Sequence, residues 1–178
     1  MELNGSFKEA TLVLLIRDDG NGNSEVLLAK KTRHIGVGKW NGPGGEIKPG
    51  ESHQEGAARE LKEELGVIAN PVNLRHAAVI DFHNTMDDGT VVICRMWVYL
   101  LYQWEGEPHE TEDGGLIDPT WFPRNQLPPP DTMMPGDPRW LPCVLVGGKI
   151  YGIIPYGPGQ KFLNGPVVIR SIPPDMQE

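Results

Sequence analysis

Gly45-Glu46-Ile47-Lys48-Pro49-Gly50-Glu51-Ser52-His53-Gln54-Glu55-Gly56-Ala57-Ala58-Arg59-Glu60-Leu61-Lys62-Glu63-Glu64-Leu65-Gly66-Val67 carries more information than any other part of the chain. Residues 52–65 have helical periodicity. Ser52 and Glu55 have the spacing of a capping box, and Gly66 stands where a helix end needs a left-handed residue. At about 100° per residue, Glu60, Glu63 and Glu64 share one stripe while Ala58, Leu61 and Leu65 point to the core. Like charges at this spacing cost a helix roughly 0.2–0.5 kcal/mol per pair, so a cation must offset them. Arg59 and Lys62 are nearby, but Arg59 is an i, i+4 neighbour of Glu63 only. An all-oxygen cluster of this kind suits a hard divalent ion such as Mg²⁺.

Immediately upstream, Trp40-Asn41-Gly42-Pro43-Gly44-Gly45-Glu46 is rich in glycines that permit close backbone approach to a ligand. Mg²⁺ commonly binds through one or two carboxylates plus substrate phosphates, which turns an acidic face into a phosphate-binding one and a place to activate water. Lys30, Lys31, Arg33 and Lys39 are available to meet the remaining phosphate charge, or to form a solvated basic loop.

The rest of the chain frames this helix. Its 178 residues make one domain able to bury a core without disulfides or metal staples. The 22 Gly and 17 Pro mark a loop-rich globule. A net charge of −8 argues against a nonspecific grip on nucleic acid. Met1 to Lys8 has the pattern of neither a signal nor a transit peptide. The longest apolar run, 91–102, is interrupted by Arg95 and reads as a buried strand, too short to span a bilayer. Cys94 and Cys143 read as buried free thiols of a reducing, cytoplasmic compartment. His34, His53, His76, His83 and His109 lack zinc-ligand spacing.

Strands are expected at 11–16 and 25–30, joined by the turn cluster 18–23, and at 74–82 and 90–104, joined through Met86-Asp87-Asp88-Gly89. After an acidic, Pro-rich region at 105–136, Asp137-Pro138 resembles an N-cap and first-turn proline. A second helix is expected over 139–146, stopped by Gly147, and then a strand at 149–156. The pattern is α/β, a mixed sheet with helices on both sides. Residues 1–164 form the domain and 165–178 a loose C-terminal tail.

Gly45, Glu51, Arg59-Glu60-Leu61, Glu63-Glu64 and Gly66-Val67 match every fixed position of the Nudix box, GX5EX7REUXEEXGU, where U is aliphatic. Chance agreement at its single-residue positions is on the order of 10⁻⁹ per window. The chain therefore resembles the Nudix hydrolases, which have an α/β/α sandwich with a mixed central sheet and split nucleoside diphosphates linked to another moiety. The resemblance implies Mg²⁺ or Mn²⁺ held by Glu60, Glu63 and Glu64 with the carbonyl of Gly44. It gives Gly45, Glu51, Arg59 and Gly66 structural roles, Glu51 and Arg59 as a pair. The catalytic base is expected among Glu63, Glu64 and a late acid, Glu112 or its neighbour Asp113.

A wider likeness, over about residues 10–163, extends to one MutT-homologue branch whose animal members hydrolyse oxidised purine nucleoside triphosphates such as 8-oxo-dGTP. It is carried by Lys30-Lys31, Gly36-x-Gly38-Lys39-Trp40-Asn41-Gly42, Trp121-Phe122, Gln126-Leu127-Pro128, Met133-Met134-Pro135-Gly136-Asp137-x-x-Trp140-x-Pro142 and Lys149-x-x-Gly152. The branch reads the base with an asparagine matching Asn41 and a Trp-Pro-Asp-Asp stretch. Here that stretch is Met134-Pro135-Gly136-Asp137, so the stacking Trp is Met and the first acid is Gly. The expected substrate contacts are Lys31, Asn41, Gly44, Gly45, Met134, Asp137 and Trp140. Asp137 is also readable as a helix cap, and Trp40 and Trp140 as core. The implied activity is Mg²⁺-dependent cleavage of a nucleoside triphosphate to monophosphate and pyrophosphate, by a monomer or dimer with no nucleic-acid duplex or membrane partner. The alternatives are another nucleoside diphosphate derivative (dinucleoside polyphosphate, nucleotide sugar or capped RNA) and a non-catalytic nucleotide-sensing domain.

Overall fold

The computed structural model describes residues 6–178; Met1 to Gly5, where the reading against a leader peptide begins, lie outside the described residues. The elements run β1 (Phe7–Asp18), β2 (Ser24–Lys31), β3 (Trp40–Asn41), α1 (His53–Leu65), β4 (Arg75–Thr85), β5 (Val91–Leu101), β6 (Leu116–Pro123), α2 (Asp137–Leu145), β7 (Ile150–Tyr156) and β8 (Val168–Ser171). The strands form one mixed sheet in the order β3-β2-β1-β5-β4-β7-β8, with β6 paired to β2. The β1–β5 and β4–β7 pairs are parallel and the others antiparallel.

Strand alternation sends successive side chains to opposite faces, and the two faces carry separate cores. Leu12, Leu14, Ile16, Ile80, Val98 and Ile154 meet Trp140, Leu141, Val144 and Leu145 of α2. Val13, Leu15, Val79, Tyr99 and Leu101 meet Ala57, Leu61 and Leu65 of α1. This is the expected sandwich, with one helix covering each side of the sheet.

Several sequence expectations change. The stretch after Gly165 is not a loose arm: β8 adds an antiparallel strand to β7. Ile172 is buried in the α1-side core, and the Glu178 carboxylate meets His53 Nδ1 at 2.5 Å and accepts the Tyr99 hydroxyl. Strand β6 lies in the region read only as acidic and Pro-rich. Its Trp121 and Phe122 pair with Leu27 and Val26, a long-range partnership with no local signal. In β5 only Trp97–Leu101 is buried, the half from Val91 to Met96 being partly open, and Cys94 and Cys143 are free but half-buried. Helix α2 begins at its expected cap, Asp137, which is the first helical residue; the N-cap position is Gly136, one residue earlier.

One irregularity positions the site. Strand β1 pairs with β2 only at Ile16–Asp18. Beyond that point the strands diverge, and the loop from Pro43 to Ile47 fills the wedge. Thr11 and Val13 donate their N–H groups to the carbonyls of Gly45 (2.9 Å) and Pro43 (2.8 Å), and Ile47 N–H donates to Glu9 (3.2 Å).

Candidate active site

The wedge explains the glycines. A Cβ at Gly44 would run into the carbonyl of Thr11, and one at Gly45 would stand 2.5 Å from the Glu60 carboxyl carbon. The close approach of these two glycines, which also line the cavity described next, is to strand β1 and to an acidic side chain. It leaves Gly44 N–H donating to Glu64 Oε2 at 2.8 Å.

Helix α1 is capped as expected. Glu55 N–H donates to Ser52 Oγ, Ser52 N–H donates to Glu55 Oε2, and Gly66 adopts φ +67°. Arg59 joins the box to its loop. Its Nε donates to Glu51 Oε1 at 2.6 Å and Nη2 to Glu51 Oε2 and the Glu46 carbonyl, both at 3.0 Å. Its Nη1 donates to Glu60 Oε1 at 2.6 Å and to Glu63 Oε2 at 3.1 Å. The guanidinium thus offsets two of the three stripe carboxylates, more than the i, i+4 relation alone gives. The Arg59 hydrogen bonds, aided by Lys48 N–H, hold the Glu51 carboxyl down at about 2.

A cavity of about 770 Å³ is lined by residues of this helix, of α2 and of the strands that separate them. Glu60, Glu64, Gly44 and Gly45 wall one end; Asn41, Met134, Asp137 and Trp140 belong to the same lining, and Lys31 and Arg33 line it as well. Burial pushes the Glu64 carboxyl up to about 7; Gly44 N–H opposes this and the Glu60 charge adds to it. Asp137 is likewise raised to about 7 by burial, although its Oδ1 accepts Trp140 Nε1–H at 3.2 Å. Burial pulls the Lys31 ammonium down, against the attraction of the Glu64 and Asp137 carboxyls.

All seven expected substrate contacts line this one cavity, as do Glu60 and Glu64. Glu63 does not: it is half-exposed and paired with Arg59 and Lys48. Glu112 and Asp113 stand exposed in a turn outside the lining. The flanks of that turn dock on the helix instead, Thr111 Oγ1 donating to the carbonyls of Glu63 (2.6 Å) and Glu64 (3.2 Å). Of the basic cluster, Lys30 pairs with Asp118 and Lys39 donates to the Asp131 carbonyl, leaving Lys31 and Arg33 to the cavity. Trp140 lines the cavity and is also core, 3% exposed. The sequence reading missed Thr11, whose buried hydroxyl has no partner among the described residues, and Tyr156. Both read as ordinary strand residues, and only long-range packing brings them here.

The NUDIX domain family matches residues 6–143. The chain belongs to this family and is a Nudix hydrolase. It is 33% identical over 142 residues to the oxidized purine nucleoside triphosphate hydrolase of Mus musculus, covering 80% of this chain and 82% of that one. It is 30% identical over 163 residues to the protein of the same name from Danio rerio, covering 92% of each. Among solved structures, the Mutator MutT protein from Bacillus halodurans superposes with a TM-score of 0.72 at 26% identity, covering 93% of this chain and 99% of that one.

Nudix hydrolases generally use a divalent metal. Among the described residues no three acidic, His or Cys side chains converge into a protein-only metal cage. Glu60 and Glu64 on one cavity wall fit the other mode, in which Mg²⁺ takes one or two carboxylates and completes its shell with water and phosphate oxygens. No helix among the described residues is long and apolar enough to cross a membrane.

Proposed function

We propose that this Nudix hydrolase cleaves purine nucleoside triphosphates to monophosphate and pyrophosphate, with a preference for oxidised bases such as 8-oxo-guanine or 2-oxo-adenine. The observation that carries the reading is a single cavity joining an acidic wall to a hydrogen-bonding, apolar one. Lys31 and Arg33 line it as well. A polyphosphate needs the first end, a purine the second, and one nucleotide reaches both. The names of the mouse and zebrafish relatives support the same substrate class.

Glu60 and Glu64 would hold Mg²⁺ or Mn²⁺, with the Gly44 carbonyl as a further ligand and Glu63 outside the cavity lining. Bound there, the ion would screen the phosphate charge and lower the pKa of water. Lys31 and Arg33 take up phosphate charge that would otherwise be repelled by the glutamates. Gly44 N–H fixes Glu64 Oε2, so Oε1 is the oxygen left to orient the attacking water and accept its proton. Attack at phosphorus breaks an anhydride P–O bond and pyrophosphate leaves. Asn41 and Asp137 read the base edge while Met134 and Trp140 pack against its face. The free thiols of Cys94 and Cys143 are consistent with a reducing, cytoplasmic setting.

Pyrophosphate release across 8-oxo-dGTP, 2-oxo-dATP, dGTP and dATP, with Mg²⁺ and with EDTA, tests this. The oxidised substrates are expected to be cut at least about tenfold faster, and only with metal. Equal rates for dATP, dGTP and their oxidised forms would remove the base preference. Release of other products from dinucleoside polyphosphates or nucleotide sugars, with no triphosphate cleavage, would move the enzyme to another Nudix substrate class.

A further inference from the structure

Gly136, which precedes α2, has no room for a side chain. A Cβ there would stand 2.5 Å from Ile154 Cγ2 and 2.6 Å from the Tyr156 hydroxyl. The space is filled from β7: Tyr156, 1% exposed and part of the cavity lining, accepts Gly136 N–H at 3.0 Å. Burial first and the Asp137 charge second push the phenol up, so it stays a neutral hydroxyl. Such a group has two lone pairs and one proton. Gly136 uses a lone pair, and among the described residues the hydroxyl donates no hydrogen bond.

The neighbouring polar groups have assigned halves too. Asn41 Oδ1 accepts Gly42 N–H at 2.9 Å, which leaves its NH₂ to donate. Asp137 Oδ1 accepts Trp140 Nε1–H, which leaves Oδ2. The base end therefore offers two fixed donors, the Asn41 amide and the Tyr156 hydroxyl, and one carboxyl.

We propose that Tyr156 is a specificity-determining residue that donates its hydroxyl proton to a ring carbonyl of the bound purine. This rests on the reading of the cavity as a purine nucleotide site. Guanine presents two acceptors, O6 and N7, on one edge, whereas adenine presents one acceptor beside an amino donor. Oxidation at C8 adds a carbonyl and converts N7 to a donor, giving an acceptor–donor–acceptor edge that two donors and a carboxylate match. An amino group facing the Tyr156 proton would leave both donors buried and unpaired, the arrangement that sites rejecting an analogue exploit.

The test uses equilibrium binding of monophosphates by calorimetry in EDTA, so that no turnover is required. Deoxyinosine monophosphate and purine deoxyriboside monophosphate differ by the 6-carbonyl; 8-oxo-dGMP and dGMP differ at C8. The wild-type protein is expected to bind the carbonyl member of at least one pair about tenfold tighter, and Tyr156→Phe to shrink that gap to about twofold. No preference within either pair in the wild type overturns the assignment without any variant, and so does a gap that survives in Y156F. Should Y156F melt below the assay temperature, Gly136→Ala, whose methyl displaces the hydroxyl, completes the same cycle. A gap that closes in a protein inactive on every triphosphate leaves Tyr156 its role and removes the pyrophosphohydrolase reading. Full turnover with an unchanged gap does the reverse.

Discussion

The acidic end of the cavity and its base end are built by different kinds of contact. At the acidic end, Glu60 and Glu64, with Glu63, Arg59 and Glu51 behind them, come from neighbouring turns of α1 and the loop that feeds it; one guanidinium ties Glu51, Glu60 and Glu63 together, and Gly44 N–H holds Glu64. At the base end, Asn41, Met134, Asp137 and Tyr156 come from β3, the segment before α2, α2 itself and β7. The first is a local device and tolerates little change. The second is a meeting of distant segments, where one residue can leave and another fill its space, as Tyr156 does beside Gly136.

That contrast predicts where substitutions bite hardest. Glu64→Gln keeps the shape and the acceptor for Gly44 N–H but removes the charge and the base. Turnover is expected to fall by about 10²–10⁴-fold, with a melting temperature near that of the wild type. Steady-state pyrophosphate release alongside a thermal melt reads both. Activity within tenfold of wild type would mean that the chemistry lies elsewhere in the cavity. Gly44→Ala comes next, because its methyl meets the Thr11 carbonyl of the neighbouring strand and no flexible side chain is there to yield. Overpacking of this kind costs about 1–3 kcal/mol, and moving the Gly44 N–H away from Glu64 should lower activity as well as the denaturation midpoint. A variant destabilised but fully active would separate the wedge from the carboxylate it now orients.

At the base end the expected effect is smaller and depends on pH. Burial raises the Asp137 carboxyl to about 7, whereas its unfolded value is near 3.8. Between those values the unfolded chain has lost the proton that the folded chain keeps. Stability due to this group is therefore full below pH 4, declines as pH rises towards 7 and is flat above. Asp137→Asn does not titrate, so the wild type should lose stability relative to D137N between pH 4.5 and 7.5, measured by urea denaturation. Parallel curves would show a carboxyl that ionises normally in the fold.

The same division governs what could be read without coordinates. Helix α1, its capping box, Gly66 and the metal-type stripe follow from i, i+3 and i+4 spacing, and all are present. The wedge did not follow, because nothing in Pro43-Gly44-Gly45 says that β1 will leave β2 after Ile16 and take this loop instead. Glu112 had the right chemistry but no local constraint; Thr111 and Gly114 hold its turn against the end of α1 while its side chain faces solvent. Asp137 was recognised, yet whether it capped a helix or faced a cavity depended on Trp140 and on burial by other elements. Strand β8 is short and followed by two prolines, which locally reads as a tail. Its pairing with β7 and the burial of Ile172 are decided across the sheet.

The smallest effect tests whether the acidic end is as self-contained as its sequence makes it look. Thr111 lies far along the chain from the box, but its hydroxyl bridges the carbonyls of Glu63 and Glu64 at the last turn of α1. Carbonyls at a helix end lack intrahelical partners, so an outside donor fixes the turn that aims Glu64. Thr111→Val keeps the shape and removes only the donor, which at about 0.5–1.5 kcal/mol for a net hydrogen bond corresponds to a two- to tenfold change. Because the hydroxyl touches no substrate, that loss should fall on kcat and leave KM in place, and Thr111→Ser should restore it. A KM effect would put the loop in the substrate's path. No effect at all would mean that Arg59, Glu51 and Gly44 hold the acidic end without help, making the local device complete in itself.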